Sequence, residues 1–261
     1  MNTSLLGKNA VVCGSSRGIG LAVARELALL GANCTLVARS ENPLREAVKS
    51  LDRSAGQTHE IIVVDFNNPA DVQKQIDLHV QQEDVHILVN NTGGPPAGPI
   101  TDAQPEIFEK FFRQHIVCNQ IMTRACLPSM KAAGYGRIIN IVSTSVKIPI
   151  ENLGVSNTIR GAVASWAKSL SNEVAEFGIT VNNVLPGFTK TQRLDTIIAG
   201  IAERKQMMME DVEKEMKAEV PAKRLGEAEE VAAVAAFLAT PAASYVNGTS
   251  IPVDGGRTGS I

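Results

Sequence analysis

The chain is poor in cysteine motifs, net charge, long apolar runs and phenols. Its four cysteines, Cys13, Cys34, Cys118 and Cys126, show no CxxC and no companion histidine spacing, which argues against zinc or a disulfide framework and for buried thiols. Lys and Arg total 25 against 27 Asp and Glu with no basic cluster, so the net charge of -2 leaves no footprint for nucleic acid or an anionic membrane. The longest apolar run, VAAVAAFLA, covers nine residues, far below the roughly 20 that span a bilayer. The opening MNTSLLGKNAVVCG passes from a polar segment into a strand without the basic and apolar regions of a signal peptide, so a cytoplasmic protein is expected. Tyr135 and Tyr245 are the only tyrosines, which limits the phenols available for proton transfer.

What is present is an alternation. Runs rich in Val and Ile, NAVVCG, NCTLVAR, HEIIVVDF, VHILVNN, GRIINIVS, ITVNNVLPG and GTSIPVDGG, are separated by amphipathic stretches. Most runs are apolar throughout, as parallel strands covered on both faces must be. After the first run, Ile19, Val23, Leu27 and Leu30 step at helical spacing until Gly31 offers a stop. In the fifth connection Val155, Ile159, Val163, Trp166, Leu170, Val174 and Phe177 form one continuous stripe. Seven strands with crossover helices make a single α/β domain over residues 1–261, a doubly wound parallel sheet of Rossmann type. Residues 190–226 break the rhythm with two charge-rich helical patterns after the sixth strand. An insertion at a strand's carboxyl end lies where such sheets bind ligands, which suggests a substrate lid. An oligomer contact or a solvated hairpin, with Met207, Met208 and Met209 as core filler, is the alternative.

VCGSSRGIGLAVA sets Gly14, Gly18 and Gly20, with Ser16, Arg17 and Ile19 between them, directly after the first strand and into the first helix. Glycines there let backbone N–H groups and the helix N-terminus approach a pyrophosphate. At the end of the second strand, where an acid would hold the ribose hydroxyls of NAD, the chain has Ala38 and then Arg39. A guanidinium grips a 2′-phosphate that a carboxylate would repel, and Arg17 adds a second cation, so NADP(H) is favoured over NAD(H).

The ordered motifs resemble the short-chain dehydrogenase/reductase family over essentially the whole chain, and within it the 3-oxoacyl-[acyl-carrier-protein] reductase-like branch. They are the glycine loop; Asp65 closing the third strand; NNTGG, with Asn91 and Gly93, after the fourth; Ser143 after the fifth; NNVLPGFTKT, with Pro186, Gly187 and Thr191; and the closing IPVDGG. The resemblance implies an NADP(H)-dependent oxidoreductase that interconverts a small carbonyl and alcohol. It also implies cofactor contacts from Asp65, Asn91, Gly93, Pro186, Gly187 and Thr191, and a homo-oligomer of two or four subunits.

The family's Asn, Ser, Tyr and Lys tetrad is altered. Ser143 keeps the serine place, Ser156 replaces the tyrosine and Arg160 the lysine; His115 falls at the asparagine place, with Asn119 as the alternative one turn on. A serine hydroxyl is a far weaker acid than a phenol of pKa about 10 and has a shorter reach. Arginine keeps the charge and can hold a ribose, but passes on no proton. Lys147, four residues after Ser143, and His115 are therefore candidate proton donors, with water as a third; a binding protein without turnover is the alternative reading.

Overall fold

A computed structural model describes residues 1–260. Strands and helices alternate from the N-terminus: β1 (Asn9–Cys13), α1 (Gly18–Leu29), β2 (Asn33–Ala38), α2 (Glu41–Lys49), β3 (His59–Val63), α3 (Pro69–Val80) and β4 (Ile87–Asn90). There follow α4 (Pro105–Phe112), a π turn (Arg113–Val117), α5 (Cys118–Ala133), β5 (Gly136–Ile141), α6 (Gly154–Val174), β6 (Ile179–Pro186), α7 (Gln192–Lys205), α8 (Met209–Glu219), α9 (Ala228–Ala239) and β7 (Ser250–Val253). All seven strands are parallel, in the order β3-β2-β1-β4-β5-β6-β7. The order reverses between β1 and β4, and a crevice opens there at the carboxyl ends of the strands.

Side chains on both faces of the central strands are buried, which explains their unbroken apolar runs. On one face α1 and α9 pack closely because they meet through small residues, Ala24 and Ala28 on α1 with Ala232, Ala235 and Ala236 on α9. On the other, α3, α5 and α6 cover Val11, Leu88, Ile138 and Val181. The four cysteines are buried and free. The apolar stripe of α6 extends past its helix: α6 ends at Val174, and Phe177 closes a 3-10 turn before Gly178 turns left-handed at φ +72°. Asp65 likewise lies two residues beyond β3, rather than closing it.

Four strands are stitched by side chains that are buried on β4, β5 and β6 and half-buried on β7. Asn90 Nδ2 donates to Asn140 Oδ1 (2.9 Å), Asn140 Nδ2 to Asn183 Oδ1 (2.9 Å) and Asn183 Nδ2 to Ser250 Oγ (3.0 Å). Residues 190–226 fold as the two expected helices, with Leu194, Ile198 and Ala202 of α7 packed on Val212 and Met216 of α8. Of the three methionines only Met207 joins that core; Met208 and Met209 are exposed. The insertion's two ends are tied, since Lys190 N–H donates to Gly226 O (2.8 Å) and Gly226 N–H to Phe188 O (2.8 Å). Among the described residues no helix is long and apolar enough to cross a membrane.

Replacing Asn140 with alanine leaves a buried amide of Asn90 and a buried carbonyl of Asn183 without partners. Each orphan costs about 1–3 kcal/mol, so urea denaturation of Asn140→Ala should show stability lower by about 2–5 kcal/mol at an unchanged m-value. A loss below about 1 kcal/mol would mean that the ladder contributes little.

Candidate active site

The turn after β1 is set by close approach to the end of β4. Gly14 sits at φ +59°, and a Cβ there would lie 2.3 Å from the Asn91 carbonyl oxygen; one on Gly20 would lie 2.3 Å from the Gly14 oxygen. Only glycine meets both demands. Asn91 Nδ2 donates to the carbonyls of Cys13 (3.3 Å) and Gly14 (3.2 Å), fixing the turn from below. Ser15 completes the anchor: its hydroxyl donates to Val12 O (2.7 Å) and accepts from Val37 N–H (3.0 Å).

Above this turn lies a cavity of about 1290 Å³. Gly14, Arg17, Gly18 and Ile19 form its floor at the start of α1, and Asn91 and Gly93 its edge at β4. Pro186, Gly187 and Thr191 close the β6 side. Ser16 is half-buried but outside the lining. Arg17 is exposed and donates to Gln192 Oε1, which links the glycine turn to α7. Arg39 is exposed just past β2, and the Asp65 carboxylate accepts from Asn67 N–H and Nδ2, both at 2.9 Å.

Ser143, Ser156 and Arg160 line one wall together. Ser143 Oγ accepts from Ser145 N–H (3.1 Å), which leaves its own hydrogen free. Arg160 is buried, and donates from Nη1 to Ile141 O (3.0 Å) and from Nη2 to Thr92 O (3.4 Å). Burial, and then the neighbouring Arg193, push its pKa down to about 10, so it stays cationic at neutral pH.

Two proposed proton donors sit elsewhere than the sequence suggested. His115 lies in the π turn, only 1% exposed, behind the cavity wall, with Nδ1 2.7 Å from Thr92 Oγ1 and Nε2 unpartnered. Burial first, then Arg160, hold its pKa well below the usual imidazole range, so it is neutral at physiological pH and is not the imidazolium acid its residue type suggests. Lys147 is exposed and takes no part in the cavity wall, so a desolvated ammonium over the site is not what forms. Asn119, on α5, is buried and also outside the lining. Neither tyrosine compensates: the Tyr135 hydroxyl donates to Ala239 O at the far end of the sheet, and Tyr245 is fully exposed.

Two residues of the site were missed in the sequence: Thr92, which lies inside NNTGG without a role of its own there, and Arg193, which belongs to no motif. Thr92 stands between His115 and the cavity. Arg193, on the first turn of α7, lines the cavity and donates to Pro95 O (2.6 Å). The bare backbone at Gly14, Gly18 and Gly93 and the clashes that a Cβ would meet at Gly14 and Gly20 suit a dinucleotide laid across the switch point.

Comparison with known proteins agrees with this geometry. A family model described as enoyl-(acyl carrier protein) reductase matches residues 14–258. The NADPH-dependent reductase BacG of Bacillus subtilis is 32% identical over 97% of this chain and 99% of its own. The 3-oxoacyl-[acyl-carrier-protein] reductase FabG of Salmonella typhimurium is 32% identical over 97% and 98%. The crystal structure of L-sorbose reductase from Gluconobacter frateurii, complexed with NADPH and L-sorbose, superposes with a TM-score of 0.93 at 30% identity over 100% of both chains. With the glycine turn, the parallel sheet and these relatives in agreement, the chain belongs to the short-chain dehydrogenase/reductase family.

Proposed function

We propose that this protein is an NADP(H)-dependent oxidoreductase that interconverts a small carbonyl compound and its alcohol, with serine and arginine in place of the usual tyrosine and lysine. The observation that carries the reading is that the glycine cradle opens into the same cavity as Ser143, Ser156 and Arg160. Gly14, Gly18, Ile19, Asn91, Gly93, Pro186, Gly187 and Thr191 would hold the dinucleotide, with Arg17 and Arg39 as the cations for its phosphates. When bound, NADPH supplies the hydride for carbonyl reduction. Its relatives' dependence on NADPH and the arginine after β2 both support the phosphorylated cofactor.

The protein's own groups then have separable tasks. Ser143 Oγ–H donates to the substrate oxygen, since its acceptor side is already occupied by Ser145 N–H. Arg160 offers fixed positive charge beside that oxygen and keeps its protons. Ser156 presents a second hydroxyl, and the proton comes from water through these two serines, because no phenol reaches the cavity and His115 is neutral behind Thr92. The absence of a phenol favours a second reading, a cofactor-binding protein with little turnover.

Three outcomes are expected. NADPH oxidation across a panel of ketones and 3-oxoacyl thioesters should be slow but measurable, and Ser143→Ala should lower kcat/KM by about 10- to 100-fold through loss of a hydrogen bond to developing charge. No turnover by folded, NADPH-loaded protein would remove the reductase reading in favour of the binding one. In a direct titration, Arg39→Ala should weaken NADPH by about 10- to 100-fold and NADH by less than about 3-fold. The third concerns acid. His115 has a folded pKa below its unfolded value of about 6.5, so the unfolded state binds more protons below that pH. Stability is therefore retained above pH about 6.5 and falls below it, by up to about 1.4 kcal/mol per pH unit. His59 and His86 are shifted the same way and add to the fall. Urea midpoints measured from pH 7 to 5 should decline less steeply in His115→Asn than in the parent.

A further inference from the structure

The charged lining of the cavity is unbalanced. Lys205 pairs with Glu215 (2.7 Å) and Arg257 with Glu219 (2.9 Å), which leaves Arg17, Arg160, Arg193 and Arg204 with one remaining carboxylate in the lining among the described residues, Glu151. Arg17 leans on Gln192 at the glycine turn, and Arg204 is exposed on α7 with Nε on Gly200 O. Arg160 and Arg193 are different. They come from separate elements, α6 and α7, and both converge on one loop, since Arg160 Nη2 donates to Thr92 O and Arg193 Nη2 to Pro95 O. Gly94 sits between those carbonyls with no side chain to intervene; a Cβ there would lie 3.4 Å from Arg160 Nη2.

Burial, and then the neighbouring Arg193, lower the pKa of Arg160, and partial burial lowers that of Arg193. Neither forms an ion pair with any described carboxylate, and carbonyl partners satisfy some donors without cancelling charge. Arg160 is a buried cation with no carboxylate partner among the described residues, which is costly for folding alone, and Arg193, exposed on the first turn of α7, sets a second charge on the same cavity lining. Beside them the wall turns apolar through Ile197, Ile201 and Met216 of the hairpin.

We infer that Arg160 and Arg193 form an anion clamp for the substrate. The ligand it fits is an oxo acid, or the corresponding hydroxy acid, whose carboxylate stands one or two carbons from the reacting carbon and whose apolar tail runs along the hairpin. This rests on the reductase reading for the reacting carbon but not for the clamp. The close carboxylate follows from Arg160's place on α6, one turn after Ser156, so the charge stands beside the hydroxyls that meet the substrate oxygen. Arg193 is the specificity residue because the hairpin carries it.

The test is a calorimetric titration into the NADP⁺-loaded protein, using a six-carbon 2-oxo acid, its 3-oxo isomer and the methyl esters of both. At least one acid should bind more than about 10-fold tighter than its ester. Arg193→Gln, which keeps a donor for Pro95 O, should weaken that acid by about 10- to 100-fold and erase the preference, and Arg193→Lys should recover part of it. NADPH affinity, titrated separately, should move by less than about 3-fold, and circular dichroism checks that each variant is folded. Equal binding of acids and esters by the parent protein overturns the clamp. So does a Gln variant that loses NADPH as severely as it loses the acid, which would make Arg193 a cofactor anchor. Acid preference without any turnover would uphold the clamp and sink the reductase reading; turnover of the esters with no acid preference would do the reverse.

Discussion

The Asn91 carbonyl oxygen occupies the space that a side chain on residue 14 would need, and the rest of the site inherits its position from that contact. Because β1 and β4 are neighbours at the point where strand order reverses, the turns leaving them must pass within van der Waals distance. Glycine at 14 and 20 permits the approach, and the Asn91 amide, bonded to Cys13 O and Gly14 O, holds it. The loop from Thr92 to Pro95 therefore leaves β4 on a fixed heading. Its carbonyls are what Arg160 and Arg193 grip, so a packing constraint in the first turn sets the electrostatics on the opposite wall.

Arginine at 160, where the family resemblance implies a lysine, would do more than withhold a transferable proton. An ammonium is a point charge that swings on a flexible stem, whereas a guanidinium is a planar fork with fixed donor directions. Here the fork is spent partly on Ile141 O and Thr92 O, the carboxyl ends of β5 and β4, and it thereby becomes part of the wall. Its charge also reaches backward. Together with burial it keeps His115 neutral, and the Thr92 hydroxyl shared with Nδ1 joins the imidazole to the cavity without exposing it.

The strands and helices were legible because the forces that make them are local in sequence: unbroken Val and Ile runs for strands buried on both faces, and three- and four-residue spacing for helices. Ser143, Ser156 and Arg160 were legible only through the family resemblance, whose spacing they keep, and the structure brings all three to the lining of one cavity. What could not be read depends on which side of a loop or turn faces inward. Lys147 points to solvent because the 3-10 turn after Ser143 buries Thr144 and Ser145 instead. The π turn retracts His115, and a lone imidazole in sequence gives no measure of its desolvation. Arg193 looked like one more charge in a charge-rich helix, and only the packing of α7 over the β4 loop distinguishes it.

That packing also limits how residues 190–226 can behave. The hairpin has its own small core, and its two ends are hydrogen-bonded to each other, so α7 and α8 move together if they move at all. Two side-chain links tie the start of α7 to the rest of the cavity rim, Arg17 to Gln192 and Arg193 to Pro95 O, and both are polar bonds at or near solvent. Bonds of that kind compete with water for exposed guanidinium groups, and so break and re-form readily. A hairpin that is stiff within itself and weakly fastened at one edge suits a cover that must admit a ligand, and the fastening residues are themselves cations that a bound anion would hold. On the anion-clamp reading, closure and charge recognition would be one event, because the guanidinium proposed to bind the carboxylate also joins α7 to the β4 loop.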